Sequence, residues 1–204
     1  MTYLTFLNDR RSVRDFDPNY SISDQEIAEM ITHAANAPSS NNFQPWKIVA
    51  VTNKAKQAQL MTFAYGQKQV QDASVVFLIL GEKKRYDIDK IMTFNVEHAI
   101  ITAEERPYKT KRVHEYLRLH PEDIGIQGLK FDLGLFSMNL MHVVRAFGYD
   151  SVPMRGVDFD KINAYLSLSD DYDAMLLLPV GKALKPGHPH VRYPLASFFT
   201  HIKS

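Results

Sequence analysis

The chain has 204 residues, 45% of them hydrophobic, with 24 basic side chains against 23 acidic ones and a formal net charge of +1. That length suits one domain with a real core, and so even a charge leaves no global field to draw nucleic acid or an anionic membrane, so any anion site must be local. Cysteine is absent, which excludes disulfides, thiolate metal ligands, a thiol nucleophile and a flavin joined through sulfur.

The opening residues lack a basic region followed by an apolar stretch, and the apolar runs, Ala174 to Leu178 among them, are far below a membrane span. The expectation is a soluble, cytoplasmic protein. No repeat, low-complexity tract or linker divides the sequence, so a single domain over 1–204 is expected.

In chain order, a short helix over residues 3–8 leads into Arg10-Arg11-Ser12-Val13-Arg14-Asp15-Phe16, which reads as a loop too polar for the core. Ser23 and Glu26 have capping-box spacing, and Ile27, Met30, Ile31 and Ala34 follow at helical spacing, so the pattern predicts a helix over 24–36, stopped by Pro38. Residues 46–52 read as a strand, Asn53 caps a helix over 54–63, and 75–80 read as a buried strand ended by Gly81. Residues 82–127 are charged and aromatic and read as exposed helices or a lid. From 129 to 147 apolar residues occupy most sides of a helix, so it is buried on most sides, and a subunit interface is the simplest cover for its second face, with Leu140 a candidate to face the partner. Gly148 fits a left-handed helix terminus, Asp158 caps a helix to about 166, residues 174–180 read as a buried strand, and the tail from 182 is extended. This order suggests an α+β sandwich of helices and a mixed, mainly antiparallel sheet.

Three stretches can carry chemistry. Arg10, Arg11, Ser12 and Arg14 set three guanidinium forks and a hydroxyl within five residues, a phosphate cradle or else a solvated basic turn. His190-Val191-Arg192 is a second basic element near the other end. Pro38-Ser39-Ser40-Asn41-Asn42-Phe43-Gln44 offers amides and hydroxyls that suit the edge of a flat heterocycle, or an elaborate polar turn. Pro153-Met154-Arg155-Gly156 can bring backbone N–H groups close to a ligand, or serve as an ordinary connection. No dinucleotide, P-loop or nucleophile-elbow signature occurs. His188, His190 and His201 read as surface histidines, with no metal assigned, and His33, His98 and His142 as satisfied packing residues on helices.

Taken together and in order, these stretches resemble the nitroreductase family across essentially the whole chain. Arg10, Ser12 and Arg14 match its Arg-x-Ser-x-(Lys/Arg) signature; Pro38 to Trp46 match its Pro-Ser-Ser-x-Asn-x-Gln-Pro-Trp signature; Gln69 with Asp72-Ala73-Ser74, Pro153 to Gly156, and Arg192 match the later ones. The resemblance implies an intertwined homodimer with FMN at the subunit interface. By residue, it implies that Arg10, Ser12 and Arg192 contact the phosphate or flavin edge, with Arg11 and His190 beside them and Arg14 near the pyrimidine end. Pro38, Ser39, Ser40 and Asn42 are implied to reach the flavin of the other subunit, Gln69 the pyrimidine or ribityl chain, and Pro153, Met154, Arg155 and Gly156 the ring near N5.

Three departures stand out: Arg155 where many members carry Glu, His190 where many carry Lys, and Gly66 for a common Asn. The implied activity is ping-pong transfer of hydride from NADH or NADPH through FMN to nitroaromatics, quinones or similar small acceptors. No catalytic acid or base is needed, since the flavin carries the electrons. The alternatives are a relative with another reductive activity, such as enone reduction or dehalogenation, and a non-catalytic protein that stores or senses FMN.

Overall fold

The computed structural model describes residues 2–203, with four strands in one sheet between two layers of helices. Helix α1 (Tyr3–Asn8) and the 10–14 loop precede α2 (Asp24–Ala34), whose N-terminus carries the reciprocal Ser23 and Glu26 cap. Strand β1 (Trp46–Val51), α3 (Lys54–Phe63), the short α4 (Gln69–Asp72) and β2 (Val75–Glu82) follow. Two more helices, α5 (Ile88–Glu97) and α6 (Arg106–Leu119), fill most of the charged region, and then come α7 (Ile126–Ala146), β3 (Asp150–Ser151), α8 (Phe159–Tyr165) and β4 (Tyr172–Gly181).

The sheet order is β1-β2-β4-β3 and each of these pairings is antiparallel; the parallel element is the isolated bridge between Ser12 and Ser151. Central β2 is apolar throughout because both of its faces are covered. Val75, Phe77 and Ile79 pack with Leu176 and Leu178 of β4 under α2 and α7, while Val76, Leu78 and Leu80 face α3, α4 and α8 through Leu60, Val70 and Ile162. A satellite core of Phe43, Ile91, Met92 and Leu117 sits under α5 and α6.

Several expectations need correction. Gly81 does not end β2: it pairs with Trp46 and Asp173 inside the ladder, and a side chain there would strike Leu129 of α7 at 2.5 Å, so its lack of one lets the helix lie close. The 10–16 loop is not wholly outside the core, because Val13 and Phe16 are buried beneath it. Leu140 is fully buried within its own chain, and the exposed large apolar residues of α7 are Ile126 at its start and, further along, Phe131 and Met138, which are 69% and 41% exposed. His33 is exposed and the buried Nδ1 of His142 has no hydrogen-bond partner among the described residues, whereas His98, though exposed, bonds the Phe94 carbonyl at 2.9 Å and stacks on its ring. Two short elements, α4 and β3, carry too few residues to show a period in the sequence. Among the described residues, no helix is long and apolar enough to cross a membrane.

Candidate functional site

The sheet edge assembles one group of the expected residues. The Val13 N–H donates to the Ser151 carbonyl at 3.2 Å, Leu184 N–H to Asp15 at 2.8 Å, and Lys185 Nζ pairs with Asp15 Oδ2 at 2.6 Å, so the arginine loop is pinned between β3 and the tail. His190 Nε2 bonds the Asn8 carbonyl at 2.7 Å and Arg11 Nη1 donates to the same oxygen at 2.7 Å, which brings the tail over the start of the loop. Gly187 permits that approach, since a Cβ there would lie 2.7 Å from the Ser12 carbonyl oxygen. Ser12 and Arg14 line a cleft of about 420 Å³ with Lys68, Asp72 and His188.

Arg10 lies at the centre of a cationic group. Burial first, then the guanidinium groups of Arg192, Arg145 and Arg11, push its pKa below the ordinary arginine value. Its Nη1 is buried without a hydrogen-bond partner, and none of Arg10, Arg11, Arg145 or Arg192 forms an ion pair among the described residues. Arg145, on α7, donates to the Phe6 carbonyl and lies over the Phe6 ring at 4.7 Å. Burial, Arg10 and Arg145 together hold His142 below its usual pKa. A buried guanidinium nitrogen among like charges is costly unless an anion enters, so this cluster suits a phosphate.

The same edge carries the 153–156 stretch. Met154 exchanges both backbone hydrogen bonds with Leu177, at 2.8 and 3.0 Å, and its sulfur accepts from Gln69 Nε2 at 3.7 Å. The N–H groups of Arg155 and Gly156 are without backbone partners among the described residues, and nothing lies within 4 Å of a Cβ placed on Gly156. Of this stretch, therefore, Arg155 and Gly156 can offer an amide to a ligand and Met154 cannot. Arg155 and Gly156 open onto a cleft of about 710 Å³ beside Lys130 and Ser137 of α7.

The 38–44 turn stands apart. Asn41, Asn42 and Gln44 all have positive φ, at 45°, 60° and 51°, a conformation that Asn tolerates better than most residues. Three ties hold it: Ser40 N–H donates to Asp132 Oδ1 at 3.0 Å, Gln44 N–H to Ser39 Oγ at 3.0 Å, and Phe43 is buried in the satellite core. Tyr86 donates to the other oxygen of Asp132 at 3.1 Å, and burial raises the pKa of both groups. Pro38, Ser39 and Ser40 line a cleft with Phe131, Asp132 and Leu135 of α7. No hydrogen bond among the described residues joins this turn to the arginine loop or to the tail. The sequence reading missed Asp132, Tyr86, Arg145 and His142. Asp132 left a signal, a lone carboxylate on the apolar stripe of Leu129, Leu133 and Phe136.

An antiparallel sheet between helical layers, with a cationic loop at one edge and an amide-rich turn set apart from it, defines an α+β sandwich. The chain belongs to the nitroreductase family, whose model matches residues 7–182. A nitroreductase-like protein from Streptococcus mutans has the same fold with a TM-score of 0.97 and 51% identity, covering 98% of each chain. A crystal structure from Exiguobacterium sibiricum, solved in complex with FMN, matches at a TM-score of 0.89 with 30% identity over 99% of this chain and 98% of its own. The CLA biosynthesis enone reductase of Lactiplantibacillus plantarum is 34% identical over 195 residues, 90% of this chain and 87% of that one.

Proposed function

We propose that this chain is an FMN-dependent oxidoreductase that takes electrons from NADH or NADPH and delivers them to a nitroaromatic, a quinone or a similar small acceptor, working as a cytoplasmic homodimer. The observation that carries this reading is the buried, unpartnered Nη1 of Arg10 within a group of unpaired guanidinium side chains, a site that a phosphate completes. When bound, FMN supplies the two-electron carrier between nicotinamide and acceptor, which use one pocket in turn.

The chain's own residues then have distinct tasks. Arg10, Ser12 and Arg192 hold the phosphate, with Arg11 and His190 fixing the loop and tail against Asn8. Arg14 stabilises negative charge at the pyrimidine end, an electrostatic role preorganised before reaction. Gln69, held against the Met154 sulfur, faces the ribityl or pyrimidine side. Pro153 and Met154 set the backbone so that Arg155 or Gly156 presents an N–H to the ring's reactive edge. Pro38, Ser39, Ser40 and Asn42 reach the flavin of a second copy, which accounts for their separation from the arginine loop. The exposed Phe131 and Met138 of α7 supply apolar surface for that assembly.

The identity to an enone reductase favours a second reading, in which the acceptor is a C=C bond conjugated to a carbonyl. Oxidation of NADH and NADPH by the purified protein, measured with a quinone, a nitroaromatic and an α,β-unsaturated ketone, separates the readings. Turnover with parallel double-reciprocal lines supports the oxidoreductase, and the preferred acceptor decides between the two reductions. Bound FMN that neither nicotinamide reduces would assign the chain to flavin storage or sensing instead.

A further inference from the structure

We infer that the cleft between the Ser40–Asn42 turn and α6 selects a planar, largely apolar ligand that carries an anionic group. Its identification as the acceptor pocket rests on the oxidoreductase reading, whereas its preference for anions stands on the cleft alone. The volume is about 720 Å³, within the range that encloses a small organic molecule. Met92, Ile101 and Val113 make its apolar lining, and Tyr116 adds an aromatic face.

Of the uncharged polar side chains in the lining, Asn41 donates to Ser40, Asn42 accepts from Gln44 and Tyr116 donates to Asp123, which leaves Asn95. Asn95 is 8% exposed and lines the cleft, and its Oδ1 is buried with no hydrogen-bond partner among the described residues. Its backbone carbonyl already serves Ile100 and Ile101, so the loop's own needs are met without the side chain. A buried amide left in that state is costly, and a ligand O–H or N–H would satisfy it; rotated, the same amide donates to a nitro or carbonyl oxygen.

Lys109, Arg112, Val113 and Tyr116 follow at helical spacing along α6 and bring two cations to the cleft. Their neighbours on the helix are neutralised, Arg106 by Asp89 at 3.9 Å and Lys111 by Glu115 at 3.9 Å. Among the described residues Lys109 and Arg112 have no acidic partner, and no carboxylate lines the cleft. Apolar walls beside two unopposed charges favour an anion on an apolar body and reject a cation. Because Phe43 anchors the turn in the same satellite core as Leu117 of α6, the cleft and the turn carrying Ser40 and Asn42 keep a fixed relation.

The test is calorimetric titration of the purified protein, without nicotinamide, using 4-nitrobenzoate and its neutral counterpart 4-nitrobenzyl alcohol. The wild type should bind the anion more tightly, and the preference should shrink as salt rises. Lys109→Gln with Arg112→Gln should erase it, at about three- to tenfold for each charge removed, with affinity for the alcohol unchanged. Asn95→Leu should weaken both compounds. A parallel comparison of KM for NADPH and NADH identifies the source of the anion: a rise for NADPH alone in the double variant assigns the pocket to the reductant's phosphate, and a rise for nitrobenzoate alone assigns it to the acceptor. Equal wild-type binding of the two compounds together with no NADPH effect, or a preference that survives the double variant, overturns the inference. An anion preference without turnover on any acceptor would leave it standing and sink the oxidoreductase reading.

Discussion

The Ser40 amide donates to Asp132 Oδ1 across 3.0 Å, tying the turn before β1 to the middle of α7. This bond, with Tyr86 on the second oxygen, holds a backbone with three positive-φ residues in one shape. Asp132→Ala strands two donors and should destabilise the protein by about 1–3 kcal/mol, with weaker FMN binding. Asp132→Asn keeps an acceptor for Ser40 and removes a charge that burial disfavours. Burial holds the Asp132 pKa above 3.8, so wild-type stability from this group is lost as pH rises from 3.8 through the raised pKa. The advantage of the Asn variant should therefore grow over that interval, read from thermal midpoints against pH. An Ala variant as stable as wild type would remove Asp132 from this role.

Arg10→Ala should weaken FMN binding by about 1.5–3 kcal/mol, the size of a charge-assisted hydrogen bond. Equilibrium titration of flavin-free protein measures it, and unchanged affinity would place the phosphate elsewhere.

His142 gives the flavin-free protein a specific response to acid. Burial and the nearby Arg10 and Arg145 hold its folded-state pKa below 6.5, so under 6.5 the unfolded chain takes up a proton that the folded chain resists. Stability should fall as pH drops below 6.5, and His142→Gln should flatten that part of the profile. Saturating FMN should flatten it too, by supplying the missing negative charge. Parallel profiles for wild type and variant would show that His142 is not the group responsible.

Gly187→Ala introduces a Cβ 2.7 Å from backbone at Ser12, and backbone does not yield as a side-chain tip does. The tail should lift from the arginine loop, lowering FMN affinity while leaving the buried core intact. Near-UV circular dichroism and flavin titration report the two effects separately, and unaltered affinity would mean that the tail does not close the site.

Met138→Glu adds a charge at a position that is exposed in the single chain, so folding of one chain should survive it. In a dimer that buries this face, an unpaired carboxylate is costly. The variant should sediment as a monomer and lose FMN. A dimer with full flavin affinity would remove this face of α7 from the interface.

Elements with clear period or capping were legible in the sequence: the Ser23 cap, the Asn53 helix, and both long strands. Their local signals agree with the final packing. What stayed hidden depends on tertiary neighbours. Leu140 and Met138 are two positions apart on one apolar helix, and only the position of α2 and the sheet decides which of them is covered. Asp132, Arg145 and His142 meet the candidate residues through helix packing, with no motif of their own. Gly81 reads as a strand stop until Leu129 is seen against it.

The most direct test is the visible absorption spectrum of the purified protein, recorded anaerobically before and after NADH or NADPH is added. The expected result is a yellow protein that holds about one FMN per chain, released on denaturation, whose flavin colour bleaches when nicotinamide is added and returns when an acceptor follows. Colourless protein that FMN cannot reconstitute would contradict the site, and bound flavin that neither nicotinamide bleaches would contradict the activity.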